Sequence, residues 1–282
     1  MKTIGEILKL STHYLAEKKI ASARLQAEEI LADTLGCKRL DLYLQFERPL
    51  DEKELSIFRE QLKRRAKGEP LGYLLSKFHF FHCDLTLSRD ALIPRQESEI
   101  LISKVVSILK EKELKGKSAL DLCTGSGCLG ISLKKQCPDL EVFLSDLSPA
   151  ALALARRNAL QNNVDVAFLE GDLLDPFVGK RADILLCNPP YISQEEYEGL
   201  DHEVRDFEPK EALLAGKTGL EFYARLAQQL PRFLNPSAKV FFEIGSLQGS
   251  RVQDLFHAPC WKEKRVEKDW AGHDRFFFLE FE

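Results

Sequence analysis

The chain has 282 residues, 44% hydrophobic and 30% charged, with a formal net charge of −4. That length holds one large domain or two smaller ones with an ample core, and the composition is that of an ordinary soluble globular protein. No run approaches the ~18 apolar residues of a membrane span, the mildly acidic balance argues against bulk attachment to a polyanion, and the charged start MKTIGEILKLSTHYLAEKK lacks a signal-peptide core.

Up to about residue 73 the pattern is helical. Thr3-Ile4-Gly5-Glu6 and Asp51-Glu52-Lys53-Glu54 read as capping boxes that open helices. Between them Ser22 opens a segment with Leu25, Ile30, Leu31 and Leu35 that closes at Gly36. After Asp51, Leu55, Phe58 and Leu62 recur at helical spacing, with Gly68 at the C-cap. Short connections between these segments indicate a small helical bundle over residues 1–73. It carries 14 Lys/Arg against 12 Asp/Glu, whereas the rest carries 26 against 32. Its sharpest basic patch, Lys63-Arg64-Arg65-Ala66-Lys67, reads as a solvated helix end, where cations suit the helix dipole. A nucleic-acid role is the weaker reading.

Residues 74–96 read as a β-hairpin linker, with Phe78, Phe80, Phe81, Leu85, Leu87 and Leu92 set among polar residues. From 97 to 282 strands and helices alternate. Ser118–Leu122, Leu140–Ser145, Val164–Leu169, Ala182–Cys187 and Lys239–Ile244 read as strands, and Arg275–Phe281 as an antiparallel strand at or near an edge. Ser148-Pro149 and Gly219–Gln229 signal helices. The alternation predicts an α/β doubly wound, Rossmann-like sheet.

Seven cysteines, odd in number, show neither CxxC nor Cys/His metal spacing. No metal site is expected, and a reduced, cytoplasmic protein is. Cys123, Cys128 and Cys187 lie within or beside apolar runs, where cysteine acts as a small hydrophobe.

The chemistry gathers at strand ends. Leu120-Asp121-Leu122-Cys123-Thr124-Gly125-Ser126-Gly127-Cys128-Leu129-Gly130 is strand, tight turn and helix start, with glycines that admit a ligand to the backbone. Asp146 ends the next strand and can take both ribose hydroxyls of a nucleoside cofactor. Gly171-Asp172-Leu173 ends the third, with an acid and an apolar neighbour to flank an adenine. Asn188-Pro189-Pro190-Tyr191 follows the fourth. Its prolines leave a stiff turn offering mainly acceptors, the Asn188 side-chain oxygen and the Pro189 carbonyl, beside an aromatic face. Such a turn can hold a planar NH2 group. On this tetrapeptide alone, a strand-terminating loop is an equal reading.

The tetrapeptide resembles that of S-adenosylmethionine (SAM) methyltransferases acting on amide or exocyclic amino nitrogens. Nearly the whole chain is similar to the HemK/PrmC family, the protein-(glutamine-N5) methyltransferases of class I peptide-chain release factors. The similarity rests on Gly68-Glu69-Pro70-Leu71 with Tyr73, Leu92-Ile93-Pro94-Arg95 with Glu97 and Glu99, the glycine loop, Asn188-Pro189-Pro190-Tyr191-Ile192, Glu208-Pro209, Gly219-Leu220 and Glu243-Ile244-Gly245. Two positions depart from the family pattern: Cys123 replaces the first loop glycine, and Gln96 stands where proline is usual.

The resemblance implies a SAM methyltransferase domain over 97–282, and the helical bundle, with no visible chemistry and the opposite charge balance, is the candidate for substrate recognition. Cys123, Thr124, Gly125, Ser126 and Gly127, with Asp146, Asp172, Leu173 and Asn188, would surround the cofactor, and Arg95 would help shape its pocket. Asn188 and Pro189 would accept the two N–H bonds of the substrate glutamine in a Gly-Gly-Gln motif. Pro190 would stiffen the turn and Tyr191 would stack on the amide. The partner is then a release factor, with no membrane and no direct nucleic-acid binding. An adenine-N6 methyltransferase acting on a flipped base is the alternative enzyme, and a SAM-binding scaffold without turnover the alternative class.

Overall fold

The computed structural model describes residues 2–282. Residues up to Ser76, together with His202–Phe207, form one compact unit; Lys77–Asp201 with Glu208–Glu282 form the other.

The first unit holds α1 (Ile4–Glu17), α2 (Ala23–Leu35), α3 (Arg39–Leu44), α4 (Glu52–Ala66) and α5 (Leu71–Leu75). Thr3 and Asp51 make the reciprocal capping boxes expected of them. Ser22 does stand before α2, but in the left-handed region (φ 50°) and without a side-chain cap bond. Ile4, Leu8, Leu15, Ile30, Leu31, Leu55 and Phe58 close the core. The basic patch at the end of α4 is not simply solvated. Arg64 forks onto Glu69 at 2.7 and 2.8 Å. Arg65 is buried, donating to the Glu69 carbonyl at 2.9 Å and to Glu203 at 2.6 Å. A buried guanidinium is tolerated only when so paired.

The second unit opens with a hairpin, β1 (Lys77–Phe80) and β2 (Cys83–Thr86), in antiparallel register. It is more than a linker. Phe80, Cys83 and Leu85 enter the main core. The outer backbone of β2 is satisfied by two asparagines of α8 (Pro149–Gln161) and its C-cap. Asp84 N–H donates to Asn162 and Thr86 N–H to Asn158, at 3.1 and 2.8 Å, and both amides donate back to β2 carbonyls. The boundary between units therefore falls at 76/77, with α5 occupying the expected start of the hairpin segment.

After α6 (Gln96–Leu109) come β3 (Ser118–Leu122), α7 (Cys128–Gln136), β4 (Glu141–Asp146), α8, β5 (Ala167–Glu170) and β6 (Ala182–Cys187). The short elements β7 (Ile192–Ser193), α9 (Gln194–Glu198), α10 (His202–Arg205) and β8 (Leu214–Gly216) follow. The chain ends with α11 (Glu221–Gln229), β9 (Leu234–Glu243), α12 (Gly249–Leu255), β10 (Trp261–Lys268) and β11 (Asp274–Phe281). The seven-stranded sheet runs β10-β11-β9-β6-β3-β4-β5, parallel from β9 to β5 and antiparallel at β11 and β10. Alternate residues serve opposite faces, as the pleat requires. Ala119, Ile184, Leu186, Phe241 and Phe276 pack under α6, α7 and α8. Leu120, Leu185, Cys187, Phe242 and Phe277 pack under α11 and α12. Helices on both faces of a mainly parallel sheet make the doubly wound architecture expected. β10 was not anticipated; it is the outer edge strand, one beyond the aromatic β11.

Candidate active site

The chain order of the parallel strands reverses between β3 and β6, which leaves a crevice beyond their carboxyl ends, where open α/β sheets bind ligands. A cavity of about 330 Å³ lies there, lined by the Cys123–Ser126 loop, Asp146, Gly171–Leu173, Asn188 and Pro190. Gly127, at φ 82°, turns the loop into α7, and a Cβ there would meet Ile131 at 2.7 Å. At Gly130 a Cβ would stand 2.8 Å from both Asp121 and Leu144, so only glycine lets α7 sit this close to the sheet. Cys123, at φ 54°, occupies a left-handed conformation that glycine adopts without strain, which explains why a glycine suits this position.

Asp146 lies at the cavity wall. Its Oδ2 accepts the Gly125 N–H at 2.8 Å and its Oδ1 the Ser148 N–H at 2.9 Å. Burial pushes its pKa up against these bonds. Asp172 also lines the cavity, tied to Arg225 at 2.6 Å, and Leu173 is buried beside it.

Arg95 is absent from the cavity wall. It caps α6 and pairs at 2.5 Å with Glu208, whose other oxygen accepts the Ile93 N–H at 3.2 Å. Its link to the pocket is through Glu208 and the adjoining Pro209, which does line the cavity. Pro189 and Tyr191 are likewise outside the wall. Pro189 is buried. Tyr191 packs against the α11/α12 core, and burial raises its pKa well above the ordinary range.

Three polar residues at the crevice had no role assigned from the sequence, although Asp121 and Glu243 stand in motifs named above. Asp121 is fully buried at the end of β3, with Oδ2 accepting from Thr124 at 2.5 Å and from Gly130 N–H at 2.9 Å. Its Oδ1 has no hydrogen-bond partner among the described residues, and burial lifts its pKa from 3.8 to about 7. An acid that ends an apolar strand just before a glycine loop was the available signal. Ser98, in the first turn of α6, lines the cavity and donates to the buried Glu243 at 2.6 Å. The Asn188 amide donates to Ser98 Oγ at 3.4 Å. Nothing local in the sequence joins Ser98 to Glu243, 145 residues away.

The PrmC N-terminal domain family matches residues 6–75, and the methyltransferase small domain family matches residues 96–204. The release factor glutamine methyltransferase of Chlamydia trachomatis serovar L2 is 41% identical over 275 residues, covering 98% of this chain and 93% of the relative. That of Bacillus subtilis is 37% identical over 284 residues, covering 98% and 96%. In fold alone, the hMettl16 catalytic domain solved with a MAT2A 3′UTR hairpin is similar, at TM-score 0.56 and 16% identity over 79% of this chain and 81% of that one. On likeness of this extent in both halves, the chain belongs to the HemK/PrmC family of release factor glutamine methyltransferases.

Proposed function

We propose that this protein transfers a methyl group from SAM to the side-chain nitrogen, N5, of the glutamine in the Gly-Gly-Gln motif of class I release factors. The observation that carries this reading is the full-length likeness to release factor glutamine methyltransferases. The cavity residues fit the cofactor. The orphaned Asp121 Oδ1 is a buried acceptor suited to the ammonium of the methionine moiety. Each oxygen of Asp146 keeps a lone pair beyond its one backbone bond, suited to the two ribose hydroxyls. Leu173, with the exposed Leu147 at the cavity wall, offers apolar faces for an adenine.

When bound, SAM supplies an electrophilic methyl group on a sulfonium. An amide nitrogen is a poor nucleophile because its lone pair is delocalised into the carbonyl. Asn188 Oδ1 and the Pro189 carbonyl accept its two N–H bonds, aligning the nitrogen and stabilising the positive charge that grows on it. Pro190 stiffens that turn at the cavity wall, and Tyr191, outside the wall, anchors it against the α11/α12 core. The proton leaves after transfer, so no general base is required. The helical unit, with its opposite charge balance, contributes recognition of the folded release factor. A reducing, cytoplasmic setting suits the seven unpaired thiols.

Incubation with methyl-labelled SAM and a purified class I release factor, followed by mass spectrometry, tests the reading. Label on the Gly-Gly-Gln glutamine is expected. Label on nucleic acid instead, or none on the factor, overturns it.

A further inference from the structure

We propose that Ser98 and Glu243 are positioning residues which set the direction in which the Asn188 amide faces. The inference rests on amide transfer by this site. Asn188 serves it only with Oδ1 turned to the substrate, because an NH2 group presented there would oppose the substrate's own NH2. The choice is made from behind. The Ser98 hydroxyl is committed as a donor to Glu243 Oε2 at 2.6 Å, so its oxygen can only accept from Asn188. The Nδ2 of Asn188 meets it at 3.4 Å, with the carboxylate next in the chain. A flipped amide would set Oδ1 against the lone pairs of both groups. Ser98 and Glu243 are 2% and 1% exposed, so water does not compete for these bonds.

The direction depends on the charge of Glu243. As a carboxylate it is acceptor-only and orders the chain Asn188 to Ser98 to Glu243. Once protonated it can donate to Ser98 Oγ, which frees the hydroxyl hydrogen to donate to Asn188 Oδ1 and reverses the chain. Burial, and the neighbouring Glu97 on α6, raise the Glu243 pKa, while Ser98, Arg275 on β11 and Asn188 oppose them, leaving it at about 7. Tyr223 of α11 donates to the Glu243 carbonyl at 2.7 Å, and Tyr191 and Cys128 face the same acid as neutral groups with raised pKa values.

The test is kcat against pH for wild type, Ser98→Ala and Glu243→Gln, on a purified release factor at saturating SAM, which removes cofactor affinity from the readout. Wild-type kcat should fall as pH drops from 8 to 6, with a midpoint near 7. Glu243→Gln should lose about tenfold at pH 8 and show no such limb. Ser98→Ala, a smaller change, should lose about tenfold in kcat at pH 8 with the KM for SAM altered less than threefold, since a slightly misplaced amide impairs alignment more than binding. Wild-type kcat in Ser98→Ala, or a wild-type acid limb in Glu243→Gln, overturns the proposal, and the first result decides even where Glu243→Gln does not fold. Wild-type label at the glutamine is read first. Its absence defeats the amide-transfer reading and this proposal with it, whereas label at that site with unaffected variants defeats the relay alone.

Discussion

Asp146 is a carboxylate held ready at the proposed cofactor site. Its two backbone bonds hold both oxygens in place at the cavity wall before any ligand arrives. Asp146→Ala should weaken SAM binding roughly ten- to a hundred-fold, the equivalent of losing charge-assisted hydrogen bonds of ~1.5–3 kcal/mol. Unchanged affinity by calorimetry would remove it from the site. For Asn188→Ala the expected change is in turnover, about 10²–10³-fold, with little loss of thermal stability; retention of more than half the wild-type rate would refute the amide-holding role. Both residues were legible in the sequence because each ends an apolar strand, and strand ends converge in a doubly wound sheet. Ser98 was not, since it looks like an ordinary helix serine, and Glu243 was legible as part of a motif but not as its partner, because their bond is a product of tertiary packing. Arg95 was legible as a nearby residue, but its action through Glu208 was not, because 113 residues separate the two.

Among the elements, the hairpin is tied to α8 by Asn158 and Asn162, and the first of these reaches furthest. Fully buried Asn158 accepts from Thr86 N–H at 2.8 Å and donates to the carbonyls of Thr86 and Ser126 at 3.1 and 2.8 Å, joining the hairpin to the cofactor loop. Asn158→Leu strands these groups away from water and should cost about 2–4 kcal/mol, lowering Tm by roughly 5–15 °C. A shift below about 3 °C would show that the hairpin is held by its apolar face alone. The buried parallel strands were legible as apolar runs. β10 was hidden because Lys262-Glu263-Lys264-Arg265 reads as a solvated loop, yet charges of this kind are what an exposed edge strand carries to discourage pairing with another chain. The helical bundle announced itself through its capping boxes, whereas the return of His202–Phe207 to it left no periodic trace.

At the scale of the whole molecule, buried acids set the pH response of stability. Asp121 and Glu243 rise from 3.8 and 4.5 to about 7. Such groups stabilise the folded state below their unfolded pKa values, and that contribution is lost as pH climbs through about 7, by up to roughly 4 kcal/mol per group. Glu280, drawn down to about 2 by Lys239 and Lys262, acts in the opposite sense, its contribution being lost as pH falls from about 4.5 towards 2. The cofactor-free protein should therefore melt at a lower temperature at pH 8 than at pH 5. Added SAM should raise Tm more at pH 8, where its ammonium meets an ionised Asp121. A melting temperature that stays flat or rises between pH 5 and 8 would contradict this assignment.

The Arg65–Glu203 pair, for its part, imposes an order of events during synthesis. At ~5–20 residues per second, the bundle emerges from the ribosome several seconds before the segment that carries Glu203. Through that interval the Arg65 guanidinium lacks its carboxylate and has only its bonds to Gln26 and the Glu69 carbonyl. Translation speed over residues 77–203 thereby sets how long a guanidinium destined for burial waits for its carboxylate.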